Sequence, residues 1–256
     1  MHNFSTNKEE IYNLLSENIF LNIYSIGDLD DFFWKSSKYL INQHDHSVVL
    51  IYQDKTFPVV LALNDSSIKP EFIPEKFREQ FPSQFYAHFT GDYIHIFKTW
   101  CELKSHGLYY KMGLMKKDFN TNIDTSKAEI LTNEDYKSLQ IFYDKNYPEN
   151  WFNERMLETN KFFAIRENGT IISVSGIHVY SEEYKVAAIA SISTDKDYRG
   201  KGLAKQTIAK QCSELFKTVD HIGLNVKSEN KNAIKCYENL GFRIIAEYEE
   251  MNCIKS

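Results

Sequence analysis

Tyr198-Arg199-Gly200-Lys201-Gly202-Leu203-Ala204 decides how this chain is read. The run before it, Val186-Ala187-Ala188-Ile189-Ala190-Ser191-Ile192, is small and β-branched almost throughout, the pattern of a strand covered on both faces and set in a sheet interior. After it, Leu203, Ile208, Cys212, Leu215, Phe216 and Val219 recur along one helical face, with Lys205, Gln206, Lys210, Gln211, Glu214 and Lys217 between them. The spacing predicts an amphipathic helix whose first turn begins at the glycines. The first N–H groups of such a helix have no intrahelical acceptor and carry the positive end of its dipole, so they suit a phosphate. Gly200 and Gly202 let the chain bring those donors close to an anion without a Cβ in the way.

Two familiar phosphate loops do not fit. A P-loop ends in Gly-Lys-Ser/Thr, whereas Gly202 is followed by Leu203. The dinucleotide fingerprint needs a third glycine and an acidic residue closing the next strand; here residue 205 is lysine and the next strand runs into Asn225-Val226-Lys227. Downstream, Ile222, Leu224 and Val226 alternate as a short strand, and Ser228 to Asn232 supply turn and cap chemistry. A helix follows with Ala233, Tyr237 and Leu240 on one face, and Gly241 stops it before Phe242.

Arg199-x-x-Gly202-x-Ala204 resembles the Gln/Arg-x-x-Gly-x-Gly/Ala signature of the GNAT N-acetyltransferase superfamily. The series Asn225-Val226, Asn230, Ala233, Tyr237, Gly241-Phe242 is similar to the closing segment of the same domains. Upstream, Ala128 to Leu131 reads as a strand and Thr132 to Asp135 as a helix start. Trp151 to Leu157 reads as a second short helix, and Phe162 to Ile165 with Ile171 to Ile177 as a hairpin around Asn168-Gly169. The β-α-α-β-β-β-α-β-α-β order from about residue 127 is that of a GNAT domain, closest to the branch named for the FR47-like domain. The resemblance implies a mixed, mostly antiparallel sheet flanked by helices.

The same resemblance implies acetyl-CoA as co-substrate and an amine as acceptor. It places the pyrophosphate on the main chain of Arg199, Gly200, Lys201, Gly202, Leu203 and Ala204, and assigns the N–H of Ile192 to the thioester carbonyl. Thr194 matches a neighbouring main-chain contact, Asn230 a contact to the pantetheine arm, and Tyr237 the acid beside the sulfur. The family's usual strand glutamate is missing, because Val186 to Ile192 carries no ionisable side chain. His178, with Glu182 and Glu183, is the alternative for a base. A coenzyme A sensor without turnover remains the other function class.

The 256 residues suffice for one large domain or two ordinary ones. A net charge of −5 argues against nucleic acid as partner. Four cysteines without paired spacing read as reduced thiols, with Cys212 on an apolar helix face. No apolar run is long enough for a membrane span, and Met1 to Glu10 lacks the form of a signal peptide, so the expected location is the cytoplasm. His44-Asp45-His46 lacks further metal ligands, and no metal is expected. Phe32, Phe33 and Trp34 read as core anchors, as do Trp151 and Phe152, which also suit an acceptor-pocket wall.

The first part, residues 1–122, reads as an α+β domain, and 127–256 as the transferase, with a polar linker at Lys116 to Lys127. Helices are expected at Glu9 to Leu15, Asp28 to Tyr39 and near Pro74 to Phe81. One hairpin is expected across Asp54-Lys55, and a second from Phe85 to Phe89 and Tyr93 to Phe97. This order echoes the second part without its glycine turn. It reads equally as a degenerate acyltransferase-like repeat shaping the acceptor pocket and as a simple α+β cap.

Overall fold

The computed structural model describes residues 2–54, 57–65 and 68–256, so Lys55 of the expected first turn lies outside the described residues. Two compact units emerge: Met1–Met112 with Asn225–Asn230 and Ile244–Ser256, and Gly113–Leu224 with Lys231–Arg243.

The chain opens with β1 (His2–Ser5) and α1 (Lys8–Leu15), whose Asn7 cap accepts the N–H groups of Glu9 and Glu10. Next come α2 (Ile23–Gly27), α3 (Asp31–Trp34) and β2 (Ser37–Asn42), so the helix expected over Asp28 to Tyr39 is a single turn followed by a strand. Asp30 caps only that turn. Tyr39, Leu40 and Ile41 are buried in succession, which a strand covered on both faces allows and an amphipathic helix does not. β3 (Val48–Tyr52) and β4 (Val59–Ala62) pair antiparallel as the hairpin pattern requires. After α4 (Glu75–Arg78) and β5 (Gln84–Phe89), the expected strand Tyr93 to Phe97 is a helix instead, α5 (Gly91–Phe97). Tyr93, Ile96 and Phe97 are its buried residues, spaced i, i+3, i+4; that face packs on Phe81, Phe85 and Phe89. β6 (Cys101–Met115) is long and was not anticipated, because its exposed middle breaks the apolar pattern.

In the second part, β7 (Glu129–Leu131) leads to a capping box between Thr132 and Asp135 and then to α6 (Tyr136–Asn146). The second short helix is only a 3-10 segment, Glu154–Thr159, and Trp151 before it is 44% exposed. β8 (Phe162–Glu167), β9 (Thr170–Ser181) and β10 (Val186–Thr194) follow, then α7 (Leu203–Leu215), β11 (His221–Lys227), α8 (Lys231–Leu240) and β12 (Arg243–Lys255).

The second unit's sheet runs β11-β10-β9-β8-β7, antiparallel except for the parallel β10–β11 pair. The first unit's sheet runs β1-β2-β3-β4-β5-β12-β6, and its own parallel pair is β4–β5. Each parallel pair needs a crossover carrying a helix. In the second unit this is α7; in the first it is the four-residue α4, and its crossover, residues 63–83, contains no glycine. The first unit therefore repeats the strand pattern of the second without its glycine turn. Its sheet is completed by the C-terminal strand, since β12 pairs with β5 from Glu249↔Phe89 to Ile254↔Gln84.

That first unit buries an amine. Lys111 is 1% exposed, with Nζ 4.7 Å from the Tyr24 ring centroid, 5.1 Å from that of Tyr248 and 3.4 Å from Asn225 Oδ1. The nearby Glu250 carboxylate accepts hydrogen bonds from Tyr86 and Tyr248. Burial pushes the ammonium down to about 7, against the pull of Glu250. Between pH 10.5 and 7 the unfolded chain takes up a proton that the folded one refuses, so the destabilisation grows as pH falls and levels off below 7. Lys111→Met should stabilise the protein at pH 7 by on the order of several kcal/mol, with the gap closing towards pH 10 in urea titrations. A constant gap across that range would contradict it.

Candidate active site

The chain leaves β10 at Thr194 and makes one 3-10 turn, Lys196–Tyr198, before α7. Asp195 organises it: Oδ1 accepts the Asp197 N–H at 3.1 Å and Oδ2 meets Lys145 Nζ at 2.6 Å. Lys145, with help from that N–H, holds the Asp195 carboxyl below the usual carboxylate range. Arg199 reaches back and donates Nε to the Thr194 carbonyl at 3.1 Å. Gly200 and Gly202 then take φ of 79° and 75°, where a Cβ would be strained. Gly202 is itself the N-cap of α7, and no side chain caps that end. The main-chain N–H groups of Gly200, Lys201, Gly202, Leu203 and Ala204 have no hydrogen-bond partner among the described residues. Five consecutive donors at the positive end of a thirteen-residue helix fit a diphosphate.

β10 delivers the chain to this turn. It is buried from Val186 to Ile189 and only partly so from Ala190 to Thr194, so the sheet-interior reading holds for its first half alone. Its parallel register with β11 covers Val186↔His221, Ala187↔Ile222 and Ala188↔Gly223, and ends there. Ile192 and Thr194 lie beyond that point, on the stretch with no β11 partner in the register. The Thr194 hydroxyl is 2.8 Å from Ser173 Oγ, and its carbonyl accepts from Arg199 of the turn.

α7 is anchored by a residue that the sequence pattern assigns to its polar face. Gln211 is fully buried; its Nε2 donates to the Lys161 and Gly176 carbonyls, each at 2.8 Å, and its Oε1 accepts from Ser175. Here a buried amide is favourable because every polar atom of it is matched. Cys212 beside it is buried as its place on the apolar face requires, and burial pushes its thiol up.

Tyr237 lies on the buried face of α8 with Ile234 and Leu240, its ring 6.0 Å from that of Phe242. Burial pushes its phenol up, so it keeps its proton at neutral pH and is available to donate a hydrogen bond. Gly241 ends this helix at φ 103°, and a Cβ there would run into the Asp118 main chain. Asn230 directly precedes α8, its N–H donating to the Lys227 carbonyl at 2.9 Å. His178 sits four residues along β9 from Val174, the partner of Ser193, which is roughly 13 Å of strand. Glu182 and Glu183 are exposed in the turn before β10, at the opposite end of that strand from the cradle. Phe152 packs on Tyr143 and Phe162, at 5.3 and 5.5 Å. Among the described residues no group of His, Cys, Asp and Glu is arranged to hold a metal ion, His44 and His46 included.

Residues 128–242 match the acetyltransferase (GNAT) family model. The chain carries a GNAT acetyltransferase domain. Acyl transfer is what that family performs, and the protein is an acyltransferase. No curated protein matches the chain in sequence. Among solved structures, a Drosophila protein superposes with a TM-score of 0.70 at 10% identity, covering 99% of this chain and 98% of its own. A GCN5-related N-acetyltransferase from Kribbella flavida gives 0.62 at 12% identity, with 91% and 95% covered. A GNAT-family protein from Novosphingobium aromaticivorans gives 0.60 at 15%, with 81% and 88% covered. At such identities the likeness is one of fold, and it extends over both parts of the chain. Among the described residues no helix is long and apolar enough to cross a membrane.

Gln211→Leu keeps the bulk of the side chain and leaves two carbonyls and a hydroxyl buried without partners in the GNAT domain. The expected loss is on the order of 3 kcal/mol in urea unfolding; a loss below about 1 kcal/mol would remove this anchor.

Proposed function

We propose that the protein transfers an acetyl or related acyl group from acetyl-CoA to a primary amine of a small molecule, amino acid or peptide, by direct attack in a ternary complex. The observation that carries this reading is the row of five N–H groups from Gly200 to Ala204 that have no partner among the described residues, at the start of the helix that follows β10. In this reading the main chain of Arg199 to Ala204 holds the pyrophosphate, and Thr194 adds a neighbouring main-chain contact. The Ile192 N–H takes up charge developing on the thioester oxygen. Asn230 receives the pantetheine arm, and Tyr237 donates a proton or hydrogen bond to the departing thiolate. With no carboxylate on β10, the acceptor amine loses its proton to solvent or arrives neutral.

We further place the chain in the FR47-like branch, with residues 1–122 as a degenerate GNAT-like domain and 127–256 as the transferase. In spatial terms the first of these also uses β12, as its sheet order requires. A cytoplasmic enzyme acting on a small or peptide amine, with neither nucleic acid nor membrane as partner, agrees with the net charge of −5.

Calorimetric titration with acetyl-CoA and with free coenzyme A, followed by thiol release against a panel of amines, tests the reading. Binding with acceptor-dependent release is expected. Binding without release would favour a coenzyme A sensor, and no binding would overturn the cradle. Gly202→Glu should abolish binding while the fold survives, because a carboxylate then occupies the anion's place. Tyr237→Phe should lower kcat about tenfold with KM for acetyl-CoA unchanged; an unaltered kcat would remove the acid role.

A further inference from the structure

β10 is interrupted between Ala190 and Ser193. Ala190 pairs with Gly176 and Ser193 with Val174, so Ser191 and Ile192 together oppose Ser175 alone, which makes a β-bulge. Its first residue, Ser191, has φ of 50°. Bulges with a left-handed first residue take glycine there, because a Cβ crowds the following carbonyl. In this chain serine occupies the position, so contacts from outside the strand must hold it.

Those contacts come from the end of α6. Tyr143 Oη donates to the Ser191 carbonyl at 2.7 Å, and Ser193 Oγ approaches the Asn146 carbonyl at 3.5 Å. Lys145 fixes Asp195 at 2.6 Å just beyond the strand. Tyr143 is 2% exposed, with its ring 5.7 Å from Phe142 and 5.3 Å from Phe152, so the phenol has no room to swing aside. Burial also pushes it well above the ordinary tyrosine range, which keeps it a donor.

We propose that Tyr143 is a positioning residue for acyl transfer: by bonding the Ser191 carbonyl it sets the direction of the Ile192 N–H. The link is a single rigid group. The Ser191 C=O and the Ile192 N–H are the two ends of one planar trans peptide and point in opposite directions, so pinning the oxygen aims the hydrogen. Accepting a hydrogen bond at the oxygen also polarises the unit and strengthens the N–H as a donor. This inference rests on the reading of Ile192 as the group that meets the thioester oxygen.

Tyr143→Phe removes the hydroxyl and keeps the ring; Ser191→Gly lets the bulge keep its left-handed φ without a pin. Tyr143→Phe is expected to lower kcat on the order of tenfold while KM for acetyl-CoA stays within about twofold, as misaiming of an oxyanion donor requires. Its Ile192 amide should shift in the nitrogen–proton spectrum and exchange faster with solvent. The double variant Tyr143→Phe/Ser191→Gly should regain most of the lost rate and the original Ile192 signal. An unmoved Ile192 amide in Tyr143→Phe would overturn the proposal, and so would a loss of rate that glycine fails to rescue, since Tyr143 would then serve packing alone. The amide signal needs no acceptor, so absence of transfer by the unaltered protein with every amine would count against the proposed function while leaving the pin to be judged by the spectrum.

Discussion

Three residue pairs are all the register that β10 and β11 share, and the rest of the candidate site depends on their stopping there. A parallel pair must be joined by a crossover, so the chain leaves the C-terminal end of β10, turns, and enters a helix. Where that helix starts, its unpaired N–H groups come to lie beside the strand end. The short ladder leaves the last residues of β10 with main-chain groups that β11 does not claim. Strand edge and helix start thus arise together from one topological feature, and an anion and a polarised carbonyl are the kinds of group such main-chain donors accept.

The site is held by polar contacts from neighbouring elements, and each of them is buried or charged. Gln211 joins α7 to the Lys161 and Gly176 carbonyls, Lys145 joins α6 to Asp195, and Tyr143 joins α6 to the bulge. Main-chain donors have no side chain of their own to be locked by packing. Their direction is fixed only by the peptide planes around them, so the supporting contacts fall on carbonyls and turn residues.

The first unit has a different balance. It has the same succession of antiparallel strands and one parallel pair, yet its crossover lacks glycine and its crossover helix is a single turn. Such a crossover has no long helix whose dipole would add to its N-terminal N–H groups. In its interior an amine, Lys111, sits against two tyrosine rings with no carboxylate in ion-pair contact among the described residues, a costly arrangement.

Local patterns were enough for the glycine turn and the helix after it. The glycines at 200 and 202, the apolar face of α7 and the Tyr237 face of α8 are written in short spacings, because φ preference and helical period are properties of neighbours in the chain. The same reasoning misread Tyr93 to Phe97, where five residues fit both periods and only packing on Phe81, Phe85 and Phe89 selects the helix. It put Gln211 on the solvent side, since a buried amide is stable only when distant carbonyls happen to meet it. It could not see the bulge at all: Ser191 looks like any strand serine, and its left-handed backbone exists because Gly176, Val174 and Tyr143, all remote in sequence, hold it there. By itself the sequence determined the turn, the helices that flank it and the family; tertiary structure alone decided which peptide is aimed and by what, because that direction is set by contacts across the sheet rather than along the chain.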